Sequence, residues 1–133
     1  NYVHHNFGIG LWTDIDNSNI LYEGNWIWWN DRMGISHEVS NNVIIRNNDV
    51  RYNGIGEDVW LWGSQILIQN SHNGEINNNT IYIHTDGGNG ISVIHQDRPD
   101  LSPRGLLQAT PHRRDQEAAL LETAALGGSD GRI

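Results

Sequence analysis

Four short segments, each opening on Asn, recur along this chain: NYVHHN (Asn1–Asn6), NWIWWN (Asn25–Asn30), NDVRYN (Asn48–Asn53) and NTIYIH (Asn79–His84). Their starts, at residues 1, 25, 48 and 79, are 24, 23 and 31 residues apart, and the insertion EDVWLWG (Glu57–Gly63) accounts for the long third interval. After each segment comes a Gly or Gln followed by an apolar residue: GLWTDID from Gly10, GISHEVS from Gly34, QILIQNS from Gln65 and GISVIHQ from Gly90. A third apolar stretch lies between repeats, as NILYEG from Asn19, NVIIRN from Asn42 and GEINNN from Gly74. Every repeat therefore carries three short strand signals separated by Asn, Gly, Asp or Ser turns.

A fixed period of about 20–30 residues built from such strands and turns describes a solenoid. Three strands per turn with no helix signal predict an all-β parallel β-helix of about four coils, just above the roughly three that a solenoid needs. Strands of four or five residues cannot bury themselves, but stacking places equivalent side chains about 4.8 Å apart on adjacent coils. Val3, Ile27, Val50 and Ile81 then form one inward aliphatic stack, and Leu11, Ile35, Ile66 and Ile91 another. Asn1, Asn25, Asn48 and Asn79 form a ladder of amides at a turn, each bonding the next and tolerating left-handed backbone angles. An antiparallel sandwich also has regularly spaced short strands, but it demands two-residue hairpin joins that are missing here. The ends of such a solenoid are open edges that a complete protein has to cap, so the chain reads as a piece of a longer protein.

Composition divides the chain near residue 98. All 17 Asn lie between Asn1 and Asn89, all eleven aromatic residues precede Ile83, and all five Ala lie at Ala109 or beyond. Residues 1–97 are read as the β-helix and 98–133 as a tail. Within the tail Thr110, Pro111 and Gly127 bracket a helix pattern over 111–126, with Ala118, Leu121 and Ala125 on one face. Three readings of the tail compete: a helix covering the end of the solenoid, a disordered tether, and the product of a frame change in a GC-rich gene. Across the whole chain the net charge is −8, from 16 acids against 8 bases, all of them Arg. No basic stripe exists to follow a phosphate backbone, which argues against nucleic-acid binding. The acidic balance argues likewise against anionic membrane surfaces, and no apolar run approaches the roughly 20 residues of a membrane span. With no Cys, disulfides, thiolate catalysis and cysteine metal sites are all excluded. The chain opens on Asn1 with no leader, which fits a piece of a longer protein and leaves secretion undecided.

The coil sequences GLWTDID (Gly10–Asp16), GISHEVSNNVIIRNN (Gly34–Asn48), WLWG (Trp60–Gly63) and GISVIHQDR (Gly90–Arg98) resemble the right-handed parallel β-helix repeat proteins of the pectate-lyase-like superfamily, in a bacterial branch. The resemblance covers about residues 1–98. It implies a right-handed solenoid, an extracellular or cell-surface location, a polysaccharide or oligosaccharide partner, and a monomer within a longer chain. Polysaccharide lyases, glycoside hydrolases, uronate epimerases and phage tailspikes share that architecture, so fold alone does not choose a reaction.

Strand alternation suggests where chemistry would sit. With Leu11 and Ile15 facing in, Trp12, Asp14 and Asp16 face out; with Ile35 and Val39 facing in, Ser36, Glu38 and Ser40 face out. Asp14 and Glu38 then become neighbours on adjacent coils. Like charges at such spacing favour keeping one proton, and one acid beside one carboxylate is the equipment for glycosidic cleavage. Trp12, with Trp60 and Trp62 of the insertion, offers broad faces on which a sugar ring can stack. His37 stacks with Thr13, Ile68 and Val93 toward the interior; a bulge would turn it outward as an assisting base. Gln96 and Arg98 are further candidates for sugar contacts, Arg98 through a uronate carboxylate. Asp14, Asp16 and Glu38 offer hard oxygens for Ca²⁺, though three acids need no metal to explain them. No cofactor is otherwise expected. Trp26, Trp28 and Trp29 are assigned mostly to packing, and His4 and His5, adjacent on a strand, to opposite faces. The competing readings are a carbohydrate-active enzyme, a non-catalytic carbohydrate-binding or adhesion module, and a structural solenoid.

Overall fold

The computed structural model describes residues 1–56, 62–85 and 88–96. Trp60, Arg98 and the helix expected over 111–126 lie outside the described residues. Eleven short strands follow one another: β1 (Tyr2–His4), β2 (Leu11–Asp14), β3 (Ser18–Glu23), β4 (Trp26–Trp28), β5 (Ile35–Glu38), β6 (Asn41–Arg46), β7 (Asp49–Arg51), β8 (Ile66–Gln69), β9 (His72–Asn77), β10 (Thr80–Tyr82) and β11 (Ile91–Ile94). Every third strand pairs in parallel with its equivalent on the next coil. The result is three sheets, β1-β4-β7-β10, β2-β5-β8-β11 and β3-β6-β9. This is the all-β parallel solenoid that the repeat predicts.

Register follows the repeat. Val3, Ile27, Val50 and Ile81 are successive partners on the first sheet, and Leu11, Ile35, Ile66 and Ile91 on the second. The third sheet adds Ile20 and Val43, and Tyr22, Ile45 and Ile76. These residues meet in one core, in which Ile27, Ile35, Ile45, Val50 and Ile66 are fully buried. Each such aliphatic side chain contributes about 1.5–3 kcal/mol through burial, and none can be buried by its own coil alone.

Two amide ladders hold the coils in register at the turns flanking the first sheet. In the expected one, Asn1, Asn25 and Asn48 each donate from Nδ2 to Oδ1 of the next Asn at 2.9 Å, ending on Asn79. The backbone N–H groups of Asn25 and Asn48 donate to the same oxygens. A second ladder was not anticipated. Asn6 donates to Asn30 and Asn30 to Asn53, each at 2.8 Å, and Asn53 donates to Oε1 of Gln65.

Gly10 and Gly34 are explained by this second ladder. A Cβ on Gly10 would lie 2.9 Å from the Asn30 amide nitrogen and 2.6 Å from a backbone oxygen; one on Gly34 would lie 2.7 Å from the Asn53 amide. Gln65 occupies the equivalent place one coil on, as the register of Ile35 with Ile66 requires. There the fourth segment ends on His84 rather than Asn, and the Gln65 side chain supplies the amide itself.

One expectation fails. Alternation carried through Ile15 and Val39 puts both inward, but β2 stops at Asp14 and β5 at Glu38. Ile15 and Val39 turn left-handed, at φ 53° and 45°, and are exposed rather than inward. Ser40 is correspondingly buried in the turn, its N–H donating to Ser71 Oγ and its own hydroxyl accepting from the Asn17 N–H.

Asn48 is buried, and its Oδ1 takes two donors while its Nδ2 serves both Asn79 and the Tyr22 carbonyl. Replacing Asn48 with Ala orphans these groups and destabilises the chain by about 3 kcal/mol. Replacing exposed Ser18 with Ala changes stability by less than about 0.5 kcal/mol. Urea unfolding of both variants checks the contrast.

Candidate functional site

The side of the second sheet away from the aliphatic core consists of two columns, of which Trp12 is open to solvent while Ser36, Leu67, Gln69 and Ser92 are buried, so the expected exposure of Ser36 does not hold. Trp12, Ser36, Leu67 and Ser92 are successive partners in one; Asp14, Glu38, Gln69 and Ile94 are successive partners in the other. The expected Asp14–Glu38 pairing across adjacent coils is therefore present. Ser36 Oγ donates to Glu38 Oε1 at 2.7 Å, fixing that carboxylate from its own strand. Asp14 is anchored through its backbone, its carbonyl accepting from Asn17 Nδ2 at 2.6 Å.

Three loops rise beside these strands and enclose a depression of about 570 Å³. Its walls are Phe7, Gly8 and Ile9 after β1, Arg32 and Met33 after β4, and Trp62 before β8, with Trp12 and Glu38 contributed by the sheet. Trp12 is 57% exposed and Phe7 97% exposed, so two aromatic faces stand open to solvent near a carboxylate. The volume lies within the range that small-molecule sites occupy, about 300–1,000 Å³. Of the sequence candidates, Trp12, Glu38 and Trp62 converge on this depression. Asp14 is the strand neighbour of Glu38 but does not line it.

Other candidates fall elsewhere. His37 is fully buried, with Nδ1 2.7 Å from Thr13 Oγ1, to which the Tyr22 hydroxyl donates at 3.0 Å. No bulge turns it outward, so it cannot act as the assisting base on this face. Its Nε2 is buried without a hydrogen-bond partner, and burial holds its pKa below the ordinary 6.5. Burial likewise raises the Tyr22 hydroxyl pKa, an effect opposed by the bond to Thr13.

Asp16 lies beyond the end of β2 in a left-handed turn (φ 61°), not on the outward strand face with Asp14. Among the described residues no group of three or more His, Asp or Glu is gathered closely enough to hold a metal ion, so Asp14, Asp16 and Glu38 form no such cluster. Gln96 follows β11 and joins the carboxylate column from its end, its Oε1 accepting from Gln69 Nε2 at 3.2 Å and its N–H donating to Asn70. His95 is exposed beyond the strand.

Two assignments on the first sheet are corrected. Trp26 is 47% exposed and faces outward with Trp28, because the inward position between them is taken by Ile27. Trp29 is half-buried at the following turn. His4 and His5 do not diverge: the left-handed backbone at His5 (φ 54°) brings the rings edge-to-face, with Nδ1 atoms 2.9 Å apart. Alternation had already placed Trp26 and Trp28 opposite Ile27, and that signal was sufficient to find them.

The turns that end the carboxylate strands are strained. Branched residues rarely adopt positive φ, yet Ile15 and Val39 do so immediately after Asp14 and Glu38. At the equivalent place after Gln69 stands Asn70, φ 47°, a residue that tolerates this conformation. The same left-handed conformation recurs on successive coils, as at Asn19, Asn42 and Asn73, so the solenoid's own geometry imposes it on Ile15 and Val39.

Comparison with known proteins agrees with the architecture. The model of the right-handed beta helix region family matches residues 1–71, more than half of the chain, and the chain belongs to that family. No curated protein and no solved structure matches it.

Two stability effects follow. Val39→Asn relieves the branched residue and stabilises the fold by about 1 kcal/mol, read as a rise in melting temperature. His37 acts in the opposite direction as pH falls. Because folding keeps its imidazole neutral, the unfolded chain binds the extra proton first; the stabilising contribution is whole above pH 6.5 and is lost as pH falls through the lower folded-state value. Melting temperature therefore declines from pH 7 to pH 5. His37→Val, which places there the residue found at the equivalent position Val93, flattens part of that decline.

Proposed function

We propose that this chain is part of an extracellular, polysaccharide-active β-helix protein of the pectate-lyase-like type, acting on its substrate at the depression beside Trp12 and Glu38 of the second sheet. The observation that carries the reading is the convergence of Trp12, Trp62 and Glu38 on one depression, with Asp14 paired to Glu38 on the neighbouring strand. Stacking of a sugar ring on Trp12 or Trp62 brings the glycosidic oxygen toward the carboxylates. One carboxyl group gives its proton to the leaving glycosidic oxygen as the C–O bond breaks; the other either takes a proton from the water that attacks the anomeric carbon, or itself bonds that carbon in an ester that water then hydrolyses. The same acid and base pair serves a lyase if the base removes a ring proton instead. The proposal assigns Glu38 and Asp14 to the chemistry, and Trp12 and Trp62 to binding.

A second reading, a binding or adhesion module without catalysis, is favoured by the burial of His37, which takes one candidate base away from this face. The full chain is incubated with neutral and acidic polysaccharides, with and without Ca²⁺, while reducing ends and ultraviolet absorbance are followed. Reducing ends alone identify a hydrolase, and reducing ends with an absorbing unsaturated product a lyase. Glu38→Gln and Asp14→Asn each lower the cleavage rate by about a hundredfold or more, with far-ultraviolet circular dichroism unchanged. If every polysaccharide is left intact but Trp12→Ala abolishes glycan binding and Glu38→Gln does not, the module reading replaces the enzyme. Intact activity in both amide variants removes the pair from the chemistry.

A further inference from the structure

The outward side of the first sheet is paved with rings. By register, one column reads Tyr2, Trp26, Asp49 and Thr80, and the next His4, Trp28, Arg51 and Tyr82. Tyr2 and Trp26 lie 5.2 Å apart between ring centroids, Trp26 and Trp28 6.1 Å, and His4 and Trp28 5.9 Å. Along the adjoining turn Trp29 stands 5.2 Å from Tyr52, and Tyr52 stands 6.2 Å from Tyr82. Asp49 and Arg51 are joined through Nε and one terminal nitrogen of the guanidinium, whose carbon lies 4.7 Å from the centre of the Tyr82 ring. A depression of about 310 Å³ opens among Trp26, Trp28, Trp29, Asp49, Arg51 and Tyr52.

We infer that this face is a glycan-binding surface for a neutral polysaccharide chain, separate from the depression on the second sheet and independent of Asp14 and Glu38. Three observations carry the inference. First, a sugar presents apolar C–H faces edged by hydroxyls, and the depression offers ring faces beside a planar carboxylate–guanidinium pair able to take and give hydrogen bonds. Second, the one cation in that depression is already matched by Asp49, and the sequence as a whole carries a net charge of −8, so neither an anionic chain nor an anionic lipid surface is favoured. Third, Trp29 and Tyr52 hold left-handed backbones, φ 54° and 52°, at equivalent turns. Their rings are thus held at the edge of the face in a conformation that aromatic residues seldom adopt. The columns run from coil to coil, so a chain lying along the solenoid axis passes from Tyr2 to Trp26, with His4 and Trp28 in the column beside them.

Native affinity electrophoresis of the full chain in gels containing β-glucan, xyloglucan, xylan or galactomannan tests the surface directly. At least one gel retards the protein, and Trp26→Ala with Trp28→Ala weakens that retardation at least about tenfold. Trp28→Phe, which keeps a ring and guards against misfolding, retains most of it, and Ser18→Ala, on the third sheet, leaves it unchanged. The inference is overturned if no neutral polysaccharide retards the protein. It is also overturned if Trp12→Ala abolishes retardation while the Trp26 and Trp28 change does not. A third contrary result is loss of a dimer on gel filtration of the double variant with glycan affinity intact, which would make the face an interface between copies.

Discussion

Amide-to-amide hydrogen bonding between successive coils is the constraint on which the rest of this structure depends. A parallel β-helix has no hairpins to set its register, and a slip of one residue would turn every inward aliphatic side chain to solvent. The ladders from Asn1 to Asn79 and from Asn6 to Gln65 fix both flanks of the first sheet. Each Asn in them satisfies the next coil's amide and, at several steps, a backbone N–H or carbonyl as well. Once the turns are pinned, the strands between them can do nothing but stack like on like. That is why residues 24 positions apart, such as Asp14 and Glu38, become lateral neighbours.

Much of this was legible because a ladder of identical residues is visible as a period. The stacks beginning at Val3 and Leu11, the first Asn ladder, the Asp14–Glu38 register and the inward side of His37 all follow from aligning repeats and alternating side chains. The second ladder was hidden because its last rung changes identity. Where Asn6, Asn30 and Asn53 predict another Asn, the sequence has His84, and the missing amide comes from Gln65 in the bend just before β8. Only the space left empty by Gly10 and Gly34 on earlier coils explains why a Gln fits there.

The errors at Ile15 and Val39 have a different origin. A hydrophobic alternation carries no mark for the residue at which a strand stops, and both residues look like continuations of an inward row. The turn asserts itself through backbone dihedral angles, which β-branched residues give no reason to expect. Trp26 and Trp28 were misjudged because large aromatic residues are expected inside. On a coil this narrow the interior column belongs to Ile27, and the indoles have only the outer side to occupy. The two outer faces therefore differ in character: one pairs carboxylates with open aromatic walls, the other is almost continuous ring surface broken by a single ion pair.

The orientation of the backbone hydrogen bonds has a mechanical consequence. Bonds such as those from Trp26 to Asn1, Asp49 to Asn25 and Thr80 to Asn48 all run from one coil to the next, along the solenoid. Tension applied along the axis meets one coil boundary at a time and peels the structure open turn by turn. Tension applied along the strands loads the bonds of a whole boundary in shear, so they must fail together. The solenoid is thus soft in the direction of its own ladder and stiff across it.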